Sequence, residues 1–382
     1  MRVLVSSTQG AGHFGPLVPF ANACVRRGHD VLVAGPPALE DQARAAGFAF
    51  HEFPAPPADE LDEVWSRVPS LPVDKANVVV IRDIFGRLDT TASLPRLLEA
   101  CEQWKPDVVL RDPAEFGSAI AAEAAGIPHV RGAFGLSSTE EMALGIAAAT
   151  VSGLRQAVGL APDPGAQALR RSPYLTLFPD GLEDPAGARP ERTMRFRDPG
   201  WDVAPAELPD WWPERDLPLV YVTFGSVAGG MEIASHLYAT AMQAVADLPV
   251  RVLLTVGRGA VDALAAAPAN VHVEQWVPQA DVLGHASAVV CHGGSGSTLG
   301  ALAAGLPLVV VPLFADQPYN ARQVAATGSG LVLQPDAAAI RGALARVLDG
   351  ESYHLAARAL AAEMRSYPST DAAVDALERL SA

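Results

Sequence analysis

The sequence predicts an α/β protein built from two doubly wound domains in tandem. Three observations carry this reading. A short apolar run, a glycine-rich loop, a helical stretch and a second apolar run follow one another between residues 2 and 35. The same alternation restarts at Leu219 and continues to Gln334. Between the two series, residues 198–218 are rich in proline and acidic side chains, which reads as a linker. The predicted domains are therefore 1–197 and 219–366, with a terminal helical segment at 367–382.

Composition bounds the function. A chain of 382 residues, 49% hydrophobic and 19% charged, can bury two cores. Its net charge of −15 and pI near 5.0 repel nucleic acid and anionic membrane surfaces. Any bound phosphate must be held locally, by dipoles and hydroxyls. Lysine occurs only at Lys75 and Lys105, so nearly all of the positive charge is arginine. Cys24, Cys101 and Cys291 are far apart and form no C-x-x-C pair, which fits a reducing compartment and neither a disulfide framework nor a zinc site. The opening MRVLVSSTQG is too short an apolar run for a signal peptide, and LAAGLPLVVVPLFA is too short and proline-broken to span a bilayer. A soluble cytoplasmic protein is expected.

In the first domain, RVLVSS (2–7) is a buried strand, TQGAGHFGP a loop, and Pro16 the start of a helix with Leu17, Phe20, Ala21 and Cys24 at helical spacing. Further strands are predicted at 31–35, 48–53, 107–112 and 129–134. Residues 54–93 and 135–170 lack strand patterning. Insertions of that kind sit above the carboxyl edge of a doubly wound sheet and shape substrate pockets, or they are plain surface helices. Gly10 to Gly15 match G-x-G-x-x-G, yet the second strand ends Val33-Ala34-Gly35 with no acid to hold a ribose. A dinucleotide site is therefore disfavoured. His13 sits in that loop at the carboxyl edge and titrates near neutrality, as a general base must. Asp112 ends a strand at the same edge; before Pro113 it is either a turn cap or a functional carboxylate.

In the second domain, helices are expected at 231–247, 336–349 and 353–366, around strands at 219–226, 251–257 and 288–292. The stretch from Val271 to Gln334 organises it. Gly293, Gly294 and Gly296 let backbone approach a ligand, and Ser295, Ser297 and Thr298 supply hydroxyl donors. The helix that follows turns its N-terminal N–H groups and positive dipole end to the same place, where an anion belongs. His292 adds an imidazole there. Gly293 to Ser297 lack the last glycine of G-x-S-x-G, so Ser295 is not a hydrolase nucleophile and reads as a phosphate donor. The nine histidines are dispersed, with no H-E-x-x-H and no convincing D-x-D, so no metal or cofactor site is indicated.

These residues resemble the donor-binding box of family 1 glycosyltransferases, known from plants as W-x2-Q-x3-L-x-H, then H-C-G-W-N-S-x2-E, then D/E-Q. Trp276, Gln279, Leu283 and His285 match the opening in identity and spacing, His292, Gly294 and Ser297 the middle, and Asp316-Gln317 the end. Two residues are missing between His285 and His292, Ser295 and Gly296 replace Trp-Asn, and Gly300 stands where the plant box has a glutamate on the ribose hydroxyls. HGGSGST with PLFADQPYNA is similar to bacterial members that glycosylate natural products. Gly12, His13 and Pro16 match the family's G-H-x-x-P, and Asp112 its histidine-orienting aspartate.

The resemblance implies a GT-B fold, two doubly wound Rossmann-like domains facing a deep interdomain cleft, with acceptor held by the first and a nucleotide-diphosphate sugar by the second. It implies metal-independent inverting transfer, with His13 as base and Asp112 orienting it. Donor contacts would come from Ser226, Trp276, Val277, Gln279, His292, Gly294, Ser295, Gly296, Ser297, Thr298, Asp316 and Gln317. The small hydrophobic acceptor, such as an aromatic polyketide, would lie near Phe14, Trp65, Phe85, Phe134 and Met142. The last helix would cross back onto the first domain, and a homodimer is compatible with the family. Gly300 removes a carboxylate that a 2′-deoxyribose would leave unpaired, which favours a dTDP-sugar over a UDP-sugar. Three other functions are weighed against transfer: epimerisation of a nucleotide sugar, a non-catalytic nucleotide-sugar-binding partner, and, least favoured, a NAD enzyme.

Overall fold

The computed structural model describes residues 1–214, 216–225, 232–257 and 267–382. The chain divides into two compact units. The first comprises Met1–Leu177, Asp184–Asp198 and Pro368–Ala382, and the second comprises Phe178–Glu183 and Pro199–Tyr367. Contacts therefore assign two short pieces across the linear order of the chain: 178–183 go with the second unit and the C-terminal segment with the first.

The first unit contains strands β1 (Arg2–Ser6), β2 (Asp30–Gly35), β3 (Ala49–Glu52), β4 (Val108–Arg111), β5 (His129–Gly132), β6 (Tyr174–Thr176) and β7 (Thr193–Arg195). They form one sheet in the order β3-β2-β1-β4-β5-β6-β7. Every pairing in it is parallel. β4 and β5 are buried along their whole length, as expected for parallel strands covered on both faces. Chain order reverses between β1 and β4, so the loops leaving these two strands diverge and leave a crevice at the carboxyl edge. Ser6 is in register with Arg111, which places residues just beyond each strand side by side.

The insertion at 54–93 is helical, with Ala58–Arg67 and Val73–Val79 followed by a π-helix at Val80–Asp89. Such wide turns are rare overall and frequent at functional sites. The other insertion is largely the helix Ser137–Ala157. The terminal helix Asp371–Ser381 packs on Val18–Arg26. Arg26 pairs with Asp371 at 2.6 Å, Arg27 with Asp375 at 2.9 Å and His29 with Glu378 at 3.0 Å.

The second unit repeats the plan. Strands β8 (Leu219–Thr223), β9 (Arg251–Thr255), β10 (Val271–Glu274), β11 (Ala286–Cys291), β12 (Leu308–Val310) and β13 (Gly330–Val332) pair in parallel in the order β10-β9-β8-β11-β12-β13. The reversal here lies between β8 and β11, with Thr223 opposite Cys291. Val220, Val222, Leu254, Val290 and Val309 lie in its core, with Ile340 and Leu344 from the helix Ala337–Asp349. Two linker tryptophans are anchored in this unit. Trp211 stacks on His272 with ring centroids 4.4 Å apart, and Trp212 Nε1 donates to the Asn270 carbonyl at 3.1 Å. Among the described residues no helix is long and apolar enough to cross a membrane.

Candidate active site

Both groups of candidate residues stand where chain order reverses. In the first unit His13 comes from the loop after β1 and Asp112 from the end of β4. His13 Nδ1 lies 2.8 Å from Asp112 Oδ2. The Asp112 side chain is fully buried, whereas that of His13 is 21% exposed. Burial alone would raise the Asp112 carboxyl, but the neighbouring His13 and donors from Ala114 N (2.8 Å) and Thr8 Oγ1 (3.0 Å) hold it below the usual carboxylate range. An ionised Asp112 only accepts, so Nδ1 carries the proton and the lone pair is on Nε2.

The imidazole is flanked by two of the five aromatic and apolar residues expected around the acceptor. Phe134 and Phe85 rings lie 4.5 and 5.4 Å from it. Buried Glu140 fixes the segment bearing Phe134, its Oε1 accepting from Phe134 N at 2.9 Å and Gly135 N at 2.8 Å. Phe14 differs from expectation. It is 3% exposed and packs edge-on to Phe48, because the helical turn Ala11–Phe14 points it into the core. Trp65 and Met142 are exposed, at 48% and 38%.

In the second unit the described residues around the glycine turn leave several polar atoms without partners. The helix begins at Ser295, earlier than the sequence suggests, because Gly294 takes the extended N-cap conformation. Ser295, Gly296 and Ser297 thereby contribute the unpaired first-turn N–H groups. Thr298 is fully buried, and its Oγ1 has no hydrogen-bond partner among the described residues. The same is true of His292 Nδ1 and Gln279 Nε2. Buried polar atoms are rarely left unpaired, so two at this turn and one on the adjoining helix Gln279–Leu283 point to a polar ligand. His292 is held against backbone that only glycine allows. A Cβ at Gly225 or Gly294 would come within 2.8 or 2.4 Å of its Nε2. Burial lowers the His292 pKa to about 4, so at neutral pH it is an uncharged donor.

Trp276 is 69% exposed, with its indole open for stacking, and Val277 and Gln279 follow it at the start of the short helix Gln279–Leu283. A Cβ at Gly300 would meet Leu283 Cδ1 at 3.0 Å and Gln279 Oε1 at 3.3 Å, so this glycine faces the short helix Gln279–Leu283. Asp316 precedes the helix Gln317–Ala326 without capping it by its side chain. Ser295 does not follow the expected pattern: its hydroxyl donates to Asp316 Oδ2 at 3.0 Å. Gln317 is nearly buried, and its Oε1 accepts from Leu313 N at 2.9 Å and Phe314 N at 3.1 Å. His285 Nε2 meets the Ala206 carbonyl at 2.8 Å, tying the linker to this region. Ser226 lies outside the described residues.

Sequence reading missed Thr8, Asp89 and Asn320. Thr8 follows β1 at the same edge as Asp112, a placement the strand pattern already implied. Asp89 ends the π-helix, and burial raises its carboxyl to about 7 against the opposing influence of His13. Asn320 is one helical turn beyond Asp316 and binds it at 2.9 Å.

Two parallel doubly wound sheets, each with a polar turn at its reversal point, are the architecture of GT-B glycosyltransferases. The fold matches that of the glycosyltransferase SnogD from Streptomyces nogalater, with TM-score 0.80 and 25% identity over 100% of this chain and 99% of that one. It also matches Streptomyces sp. SF2575 glycosyltransferase SsfS6 complexed with thymidine diphosphate, with TM-score 0.77, 26% identity and 99% coverage of both chains. Residues 22–158 and 239–380 match the N-terminal and C-terminal domains described as Erythromycin biosynthesis protein CIII-like. The elloramycin glycosyltransferase ElmGT of Streptomyces olivaceus is 32% identical over 96% of this chain and 94% of its own length. The chain belongs to this erythromycin CIII-like family and is a bacterial natural-product glycosyltransferase.

Proposed function

We propose that the chain transfers a sugar from a dTDP-linked donor to a hydroxyl of a small natural-product acceptor such as an aromatic polyketide, inverting the anomeric carbon. The observation that carries the reading is the 2.8 Å pairing of His13 Nδ1 with a buried, ionised Asp112. The first unit binds the acceptor, with Phe134 and Phe85 against its apolar face. His13 Nε2 takes the proton of the acceptor hydroxyl, and Asp112 stabilises the imidazolium that forms. The acceptor oxygen bonds to the anomeric carbon as the bond from that carbon to the diphosphate breaks on the opposite face. The second unit stabilises the departing diphosphate through Thr298, His292 and the first-turn N–H groups of Ser295–Ala303.

The donor assignment rests on Gly300, which offers no carboxylate to ribose hydroxyls, and is supported by the thymidine diphosphate bound to SsfS6. Purified protein is incubated with dTDP-sugars, with and without an aromatic polyketide aglycone, and products are followed by mass. Glycosylated product only when aglycone is present supports transfer, and His13→Ala should lower turnover by about 10²- to 10⁴-fold. Sugar isomerised without aglycone would instead indicate an epimerase. Near-native turnover in His13→Ala would remove the role given to it.

A further inference from the structure

We infer that Ser295 and Asn320 are positioning residues that fix Asp316 for the donor sugar, and that the Ser295 hydroxyl serves the sugar rather than a phosphate. The inference rests on the donor reading above and on the resemblance to the family 1 box, which implies that Asp316 and Gln317 contact the sugar hydroxyls. Ser295 Oγ donates to Asp316 Oδ2 at 3.0 Å, and Asn320 Nδ2 donates to the same oxygen at 2.9 Å. Asn320 Nδ2 also reaches the Gly293 carbonyl at 2.9 Å and Ser295 Oγ at 3.3 Å. A serine hydroxyl has one proton. Given to a carboxylate, that proton is not available to a phosphate oxygen.

The environment makes these bonds durable. Asn320 is fully buried and Ser295 is 8% exposed. Two donors on one carboxylate oxygen set the plane of Asp316, and bonds to an ionised group are the stronger kind. Through Asn320 the carbonyl of the glycine turn joins the same cluster, so the start of the helix Ser295–Ala303 is hydrogen-bonded to Asp316 and to the helix Gln317–Ala326. Phosphate binding is then left to Ser297, Thr298, His292 and backbone N–H groups. Sugar recognition depends on Ser295, although this residue sits inside the phosphate turn.

The two roles separate in binding. Affinities for dTDP and for dTDP-glucose are measured by calorimetry on the unmodified protein, Ser295→Ala, Ser295→Thr, Asn320→Asp and Asp316→Asn. Ser295→Ala should bind dTDP within about two-fold of the unmodified protein and dTDP-glucose about ten-fold more weakly, the effect of one bond to a charged group. Asp316→Asn and Asn320→Asp should show the same selectivity, and Ser295→Thr should restore dTDP-glucose binding. If Ser295→Ala weakens both ligands equally, its hydroxyl serves the phosphates or the turn, and the inference falls. If it weakens neither, the inference also falls. Failure of the unmodified protein to bind dTDP would instead defeat the donor reading on which the inference rests.

Discussion

His13 Nδ1 and Asp112 Oδ2 lie 2.8 Å apart across 99 positions of sequence. The sheet explains the meeting. β1 and β4 are parallel neighbours with Ser6 opposite Arg111, and chain order reverses between them. The pairing fixes the imidazole tautomer, so Asp112→Asn should lower turnover by about 10²- to 10⁴-fold. Binding of dTDP, which we propose lies in the second unit, should be unchanged. Steady-state kinetics and calorimetry on the same preparation check this, and turnover within five-fold of the unmodified protein would count against it.

Thr298 should separate stability from function. Its buried Oγ1 has no partner among the described residues, so Thr298→Val removes an unpaired polar atom and keeps the shape. The melting temperature should hold or rise. Donor kcat/KM should fall by about 10- to 100-fold, the share of one hydrogen bond to a charged oxygen. Lowered stability with normal kinetics would mean that the hydroxyl serves the fold.

Gly300 should govern the choice of nucleotide. Gly300→Glu restores a carboxylate beside Gln279, with Leu283 Cδ1 yielding by a few tenths of an ångström. The ratio of dTDP to UDP affinity should move toward UDP by about ten-fold, since a ribose offers the extra hydroxyl. An unchanged ratio in titrations of both nucleotides would show that this position is not read.

Asp89 predicts a pH dependence of stability. Burial raises its folded-state carboxyl from 3.8 to about 7. Between those values the folded state holds a proton that the unfolded state has released, so this group's contribution falls as pH rises from about 4 to 7. Asp89→Asn removes the term. Urea denaturation should therefore show the variant gaining on the unmodified protein between pH 5 and pH 8. An equal difference at both pH values would place Asp89 in water.

Much of this was legible because chemistry and topology coincide in linear motifs. Parallel strands buried on both faces read as apolar runs, so β1, β4, β8 and β11 were visible as such. His292 to Thr298 carry their chemistry in consecutive residues. What could not be read depends on contacts made in three dimensions. Ser295 and Asp316 are 21 positions apart, and only packing brings that hydroxyl to the carboxylate. Phe14 and His13 are adjacent, yet a single helical turn sends one to the core and the other to the crevice. The π-helix that carries Phe85 and Asp89 has no distinctive composition, because it differs from an α-helix by the width of its turn.

In the proposed function the second unit is a dTDP-sugar site whose anion is held by backbone dipoles and hydroxyls. This assignment is tested most directly by calorimetric titration of the protein with dTDP and with UDP, in buffer with and without a metal chelator. Binding of dTDP should be clearly tighter and unchanged by the chelator. Tighter binding of UDP, binding that vanishes with the chelator, or binding of neither nucleotide would contradict it.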